Sequence, residues 1–294
     1  MNPPPSPLGL TCQLTLADGR IWEIAAADRS ASRMVGTLSE IFQLPAVQRR
    51  DLPPPPPADQ AGPPAIRQVL LDQLVPFSRL TADALCANPV ILPCGPDPAR
   101  PGMELFSTLQ QITALVSRDA EERGGLLLHG ALALWQGQGV LLAAPGGTGK
   151  TTASQRLPPP WRSVCDDATL VLPVGKGQYR AHPWPTLSHF VLDREGGSWD
   201  VQRAVWLRLI CFLQQAPHEQ AEPVGAGQAT TLLLQAVRQA SWGTAPPVDQ
   251  AEQRRLNLRL LDNASALARA VPTCLLQLSL TGAFWQELEP LLAA

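Results

Sequence analysis

Residues 10–16 (Leu-Thr-Cys-Gln-Leu-Thr-Leu) change type along the chain as a half-buried strand does, with a period of two. Asp18-Gly19 follows as a hairpin turn, and Ile21-Trp22-Glu23-Ile24 resumes the strand. From residue 30 to 44 the period lengthens. Met34, Val35, Leu38, Ile41 and Leu44 fall near one face of an amphipathic helix. The chain therefore opens β-β-α. Pro53 to Pro57 and the Ala-Gly-Pro-Pro that follows read as an extended spacer. These signals predict a small ββα unit at 1–52, a linker at 53–64 and a larger domain at 65–294.

Within the larger domain, 67–75 reads as a strand and 83–101 as irregular. Residues 102–121 read as a helix with Met103, Leu105, Phe106, Leu109, Ile112, Leu115 and Val116 on its apolar face, stopped by Gly124-Gly125. Leu126–Leu134 is a buried strand, Gly137-Gln138-Gly139 a turn, and Val140–Ala144 a second strand. A short helix begins at Lys150 and must end before Pro158-Pro159-Pro160. Strands are expected at 163–166, 169–174, 203–214 and 274–280, and helices at 226–240, 250–269 and 284–292. Strands mixed with helices in this way predict an α/β fold.

Composition narrows the class. Of 294 residues, 45% are hydrophobic, ample for a core, and 16% are charged. The net charge of −2 and the lack of a Lys/Arg block give no reason to expect nucleic acid or an anionic membrane as partner. No apolar run reaches the roughly 18 residues of a membrane span. The start, Met1-Asn2-Pro3-Pro4-Pro5, has no basic or apolar stretch of the signal-peptide kind. The six cysteines form no CxxC pair and no zinc spacing, which fits buried free thiols in a reducing cytoplasm.

The most informative stretch is Ala144-Pro145-Gly146-Gly147-Thr148-Gly149-Lys150-Thr151-Thr152. A phosphate loop has the form G-x-x-x-x-G-K-[ST] between a strand and a helix. Glycines such as Gly146, Gly147 and Gly149 let backbone N–H groups, Thr148 among them, turn toward phosphate oxygens. Lys150 would reach the terminal phosphates, and the Thr151 hydroxyl would ligate Mg²⁺. Thr152 continues the loop into the helix. Ala144 stands at the first motif position in place of glycine, and Pro145 has no N–H to donate. The expected ligand is Mg-ATP.

Cys165-Asp166-Asp167 ends a strand after this helix. Two carboxylates there suit phosphoryl transfer, one holding Mg²⁺ and one taking a proton from the attacking hydroxyl. Neighbouring strand residues point to opposite faces, so both can serve one site only where the chain bends or ends. His129, in an apolar strand, reads on its own as a core histidine.

Leu128-His129-Gly130, the glycine turn, the loop ending Gly149-Lys150-Thr151 and Cys165-Asp166-Asp167 together resemble HPr kinase/phosphorylase in order and spacing. The resemblance is strongest over 124–172. Leu14–Trp22, Pro183–Thr186 and Leu280–Trp285 further resemble the HPr-kinase-related proteins of peptide-modification cassettes, the SynChlorMet cassette protein ScmC type. What this resemblance implies is a P-loop core of the HPr kinase/phosphoenolpyruvate carboxykinase type. It also implies transfer of the γ-phosphoryl group of ATP to a serine of a peptide or small protein. On that footing Asp166 joins Thr151 at the metal, Asp167 is the base, and His129 sits beside them. Thr152 stands where bacterial HPr kinases usually carry Glu, and the family's basic C-terminal substrate segment has no match, which sets HPr itself aside as acceptor. Subunit contacts are a feature of such kinases, so an oligomer is consistent with the resemblance. Two other readings stay open: a catalytically silent nucleotide-binding scaffold and a small-molecule kinase.

Overall fold

A computed structural model describes residues 9–48, 66–75, 87–96, 102–191, 196–240 and 249–293. The expected linker at 53–64 lies outside the described residues. Two sheets and six α-helices are found among the described residues, a mixed α/β fold. The chain forms two compact units. One comprises 1–115, 187–202 and 244–248; the other comprises 116–186, 203–243 and 249–294.

The first unit holds a five-stranded sheet in the order β3-β1-β2-β4-β5. Its strands are β1 (Leu10–Thr15), β2 (Ile21–Ala26), β3 (Ala46–Gln48), β4 (Ile66–Asp72) and β5 (Val90–Pro93). β1 and β2 form the antiparallel hairpin expected around Asp18-Gly19, with Gly19 at φ 86°. Helix α1 (Ala31–Ile41) follows and buries Ala31, Val35, Leu38 and Ile41. Its first turn is held by the Asp28 carboxylate, which accepts from Ala31 N at 2.7 Å. The sheet extends past residue 52, because β4 pairs parallel with β2 and β5 parallel with β4. Thus residues from the expected 65–294 domain complete the first sheet, and part of the stretch read as irregular at 83–101 is β5. Pairing partners from distant sequence decide this, and local pattern does not report them.

The second unit contains β6 (Leu126–Trp135), β7 (Gln138–Ala143), β8 (Arg162–Cys165), β9 (Ala168–Gly175), β10 (Gln178–Trp184), β11 (Val205–Gln215), β12 (Gln220–Pro223) and β13 (Thr273–Leu278). The main path runs β10-β9-β6-β7-β11-β13-β12, with β8 on β6 and a short β10–β11 pairing that closes part of the path on itself. β7, β11 and β13 are mutually parallel. Their runs are apolar on both faces because both are covered. Val140 and Leu142 of β7, Leu209, Cys211 and Leu213 of β11, and Cys274, Leu276 and Leu278 of β13 form one core face. Ala153 of α3 (Lys150–Gln155) and Leu288 and Leu292 of α6 (Trp285–Ala293) pack in the same cluster.

The remaining helices are α2 (Glu104–Glu122), α4 (Ala226–Ala240) and α5 (Gln250–Ala270). Asp249 caps α5 by accepting from Glu252 N at 2.7 Å. Asn263 on α5 donates to the carbonyls of Glu121 at 2.8 Å and Gly125 at 3.1 Å. These bonds satisfy two carbonyls where α2 ends and turns into β6. None of the described helices is long and apolar enough to cross a membrane.

Candidate functional site

β7 ends at Ala143, and the loop 144–149 leads directly into α3. This is the strand–loop–helix context that the motif needs. The loop turns on two glycines, Gly147 at φ 79° and Gly149 at φ 98°. A side chain at either would be strained, because the left-handed region is costly for residues with a Cβ. Gly146, Gly147 and Gly149 each have open space where a Cβ would stand. Thr148 N donates to Pro145 O at 3.3 Å, and the Thr148 carbonyl accepts from Gln215 Nε2 at 3.3 Å. The hollow is therefore formed by backbone and lies at the carboxyl ends of three parallel strands, where ligands of such sheets bind.

Lys150 opens α3 and is buried. Its Nζ donates to Ala144 O at 3.0 Å and Pro145 O at 3.4 Å, and lies 2.7 Å from His129 Nε2. His129 Nδ1 lies 3.3 Å from Asp167 Oδ1. With Nδ1–H facing the carboxylate, Nε2 is left to accept from the ammonium. Lys150, His129 and Asp167 thus form one contact chain. Burial lowers the pKa of Lys150, while Asp167 and Asp166 act to raise it. Burial also lowers His129, with Asp167 opposing and the Lys150 charge adding to the fall. The His129 shift favours a neutral imidazole between lysine and carboxylate, while the two aspartates oppose loss of the Lys150 charge.

Strand β6 explains why these residues meet. Its first half, through His129, pairs with β9, and from Gly130 onward it pairs with β7. A Cβ at Gly130 would stand 2.9 Å from Leu141 Cδ1 and 3.2 Å from Leu142 O, so only glycine allows β7 so close. Gly130 N donates to Asp167 O at 2.9 Å, which brings Asp167 beside His129. Asp166 and Asp167 occupy a bend between β8 and β9, the condition under which adjacent carboxylates can depart from strict alternation. The two diverge in partners: Asp166 Oδ1 accepts from Thr186 Oγ1 at 2.7 Å.

The bend has its own fastening. Cys165 Sγ contacts Ala168 O at 3.0 Å, and Thr169 Oγ1 donates to Gly130 O at 2.9 Å. Burial pushes the Cys165 thiol up to about 11, so it is an inert packing group and not a nucleophile at neutral pH. Thr186, Gln215 and Thr169 are contributors that motif reading passed over. Thr186 lay within Pro183–Thr186, a stretch noted only for its resemblance. The other two carry no motif signal.

The donor set can be tested against Mg-ATP. Thr151 and Thr152 are exposed on the first turn of α3. Among the described residues no three His, Cys, Asp or Glu side chains cluster as a metal cage. Thr151 and Asp166 are hard oxygen donors, and Mg²⁺ commonly takes few protein ligands with the rest from phosphate and water. These residues fit a metal that arrives with its nucleotide.

Comparison with the curated proteins gives no match. The family model described as SynChlorMet cassette protein ScmC matches residues 93–293. That span takes in the glycine-rich loop at 144–152, His129 and both aspartates. It covers well over half of the chain, and the chain belongs to the SynChlorMet cassette protein ScmC family.

Proposed function

We propose that the chain is a P-loop phosphotransferase that uses Mg-ATP to phosphorylate a serine hydroxyl of a peptide or small protein. The observation that carries this reading is the contact chain Lys150–His129–Asp167, which joins the loop lysine to a carboxylate on a separate bend at 2.7 Å and 3.3 Å. A glycine-rich turn with an incidental lysine has no reason to hold that lysine against a His–Asp pair. The three-motif likeness to HPr kinase/phosphorylase supports the same assignment.

Bound Mg-ATP supplies an electrophilic γ-phosphoryl group whose charge the metal offsets. The chain's part is positioning and proton transfer. Backbone N–H groups of 146–149 hold phosphate oxygens. Lys150 exchanges its carbonyl contacts at Ala144 and Pro145 for phosphate, placing a positive charge where negative charge develops. Thr151 and Asp166 hold the metal, and Thr186 fixes the Asp166 carboxylate. Asp167 would take the proton of the incoming hydroxyl as its oxygen bonds to the γ-phosphorus and the bond from that phosphorus to the leaving ADP breaks. His129 orients Asp167 through Nδ1–H. The decisive experiment is calorimetric titration of Mg-ATP into wild type and Lys150→Ala, followed by ADP release with and without candidate serine peptides. Binding that Lys150→Ala abolishes, with ADP release that depends on peptide, upholds the proposal. Binding without turnover on any acceptor favours a nucleotide-responsive scaffold, a reading supported by Ala144 in place of glycine and by the full set of contacts that Lys150 makes within its own loop.

A further inference from the structure

A cleft of about 480 Å³ lies against the side of α3. Its walls include Thr148, Gly149, Thr152 and Arg156 from the loop and helix, with Gln215 and Leu280 opposite. We infer that this cleft seats the nucleoside half of the phosphoryl donor, an inference that rests on the phosphate-loop reading above.

The position of the cleft fits such a ligand. The segments after β11 and β13 form the far wall, so the cleft opens at the carboxyl end of the parallel strands, continuous with the loop. Lys150, His129 and Asp167 are not among its walls. A ligand with phosphates on the loop therefore has a reacting end toward Asp167 and its other end toward the cleft. The volume falls within the range of roughly 300–1,000 Å³ usual for small-molecule sites.

The construction of the far wall fits it as well. Leu280 is 77% exposed, but the turn that carries it is tightly bonded. Ser279 N and Oγ donate to Glu219 Oε1 at 3.0 and 2.6 Å, and Ser279 Oγ accepts from Gly282 N at 2.9 Å. From the other side Arg156, at the end of α3, donates to Ser279 O at 2.9 Å and to Gly282 O. A Cβ at Gly282 would overlap the Glu219 carboxylate where it now stands, so any larger residue would displace that carboxylate from the turn. An exposed leucine by itself is unremarkable on a protein surface. Here it is held at a cleft wall by a turn anchored to the phosphate-loop helix, a rigid apolar surface for one face of a heterocyclic base. Gln215, hydrogen-bonded to the loop at Thr148 O, keeps its amide oxygen for an exocyclic amino group at the same wall.

The test separates base from phosphate. Mg-ATP and Mg-tripolyphosphate are titrated calorimetrically into the full chain, as wild type, Leu280→Asn and Lys150→Ala. The expected result is ATP binding about tenfold or more tighter than tripolyphosphate in wild type, the advantage shrinking about tenfold in Leu280→Asn while tripolyphosphate affinity holds. Equal affinities in wild type, both lost in Lys150→Ala, overturn the cleft assignment and leave the phosphate loop standing. An ATP preference that survives Leu280→Asn also overturns it, because the base then sits elsewhere. Binding of neither ligand removes the phosphate-loop reading itself and the inference with it.

Discussion

At Lys150 the three N–H donors of one ammonium meet three acceptors: two carbonyls of its own loop and the imidazole of His129. Its removal takes away the ammonium that the loop carbonyls and His129 hold. Lys150→Ala is expected to weaken Mg-ATP binding by about a hundredfold, since a charge-assisted phosphate contact is lost. Asp167 is different, because it stands beyond His129 and, in the proposed reaction, would act on the acceptor hydroxyl. Asp167→Asn should leave ATP affinity within about threefold and slow phosphoryl transfer by about 10²–10⁴-fold, the usual worth of a general base. Paired titration and single-turnover assays distinguish the two, and full transfer in Asp167→Asn would refute the base assignment. His129 shows what residue-level reading misses. Its apolar strand marks it as core filler, and only the pairing of β6 with β9 and the Gly130–Asp167 bond set it between lysine and carboxylate.

At the scale of elements, the junction between the loop and α3 depends on a left-handed residue. Gly149 at φ 98° is the N-cap of α3, so Gly149→Ala should cost about 1–2 kcal/mol in urea unfolding, with no clash to blame because the space around it is open. A second junction is the end of α2. Asn263→Ala removes both donors to Glu121 O and Gly125 O and should destabilise by about 1–3 kcal/mol. Asn257→Ala on the exposed stretch of the same helix is the control and should lie within about 0.5 kcal/mol of wild type. The long helices 226–240 and 250–270 and the buried strands β6, β7, β11 and β13 were legible from sequence, since their apolar spacing is sustained. β10 and β12 were not. The first carries Arg180, His182 and Pro183, and the second is the polar run Gln-Ala-Glu-Pro. Both are strands because they find a paired neighbour, β10 on β9 and β12 on β13, and not because of their own pattern.

For the whole molecule, a buried carboxyl sets a dependence on pH. Burial raises Glu121 to about 7 from an ordinary 4.5, with Glu122 adding and Arg118 and Arg259 opposing. The folded state thus favours protonated Glu121. This stabilisation is fully present below the unfolded value of 4.5 and is lost as pH rises through about 7. Glu121→Gln should flatten that slope and raise the thermal midpoint above pH 7 while changing little at pH 4.5. An unchanged slope in thermal melts at several pH values between 4.5 and 8 would rule Glu121 out as its source.

The sequence alone determined those features whose cause is local. A strand running into Gly-Gly-Thr-Gly-Lys-Thr reads as strand, glycine-rich loop and helix start, and sustained apolar periods identify the buried elements whatever their neighbours. The tertiary structure decided what depends on distant partners: that β4 and β5 complete the first sheet, that Asp166 and Asp167 part at a bend toward Thr186 and His129, and that Arg156 ties α3 to the turn at 279–282. Pairing register and side-chain convergence arise from long-range packing, which no window of neighbouring residues encodes.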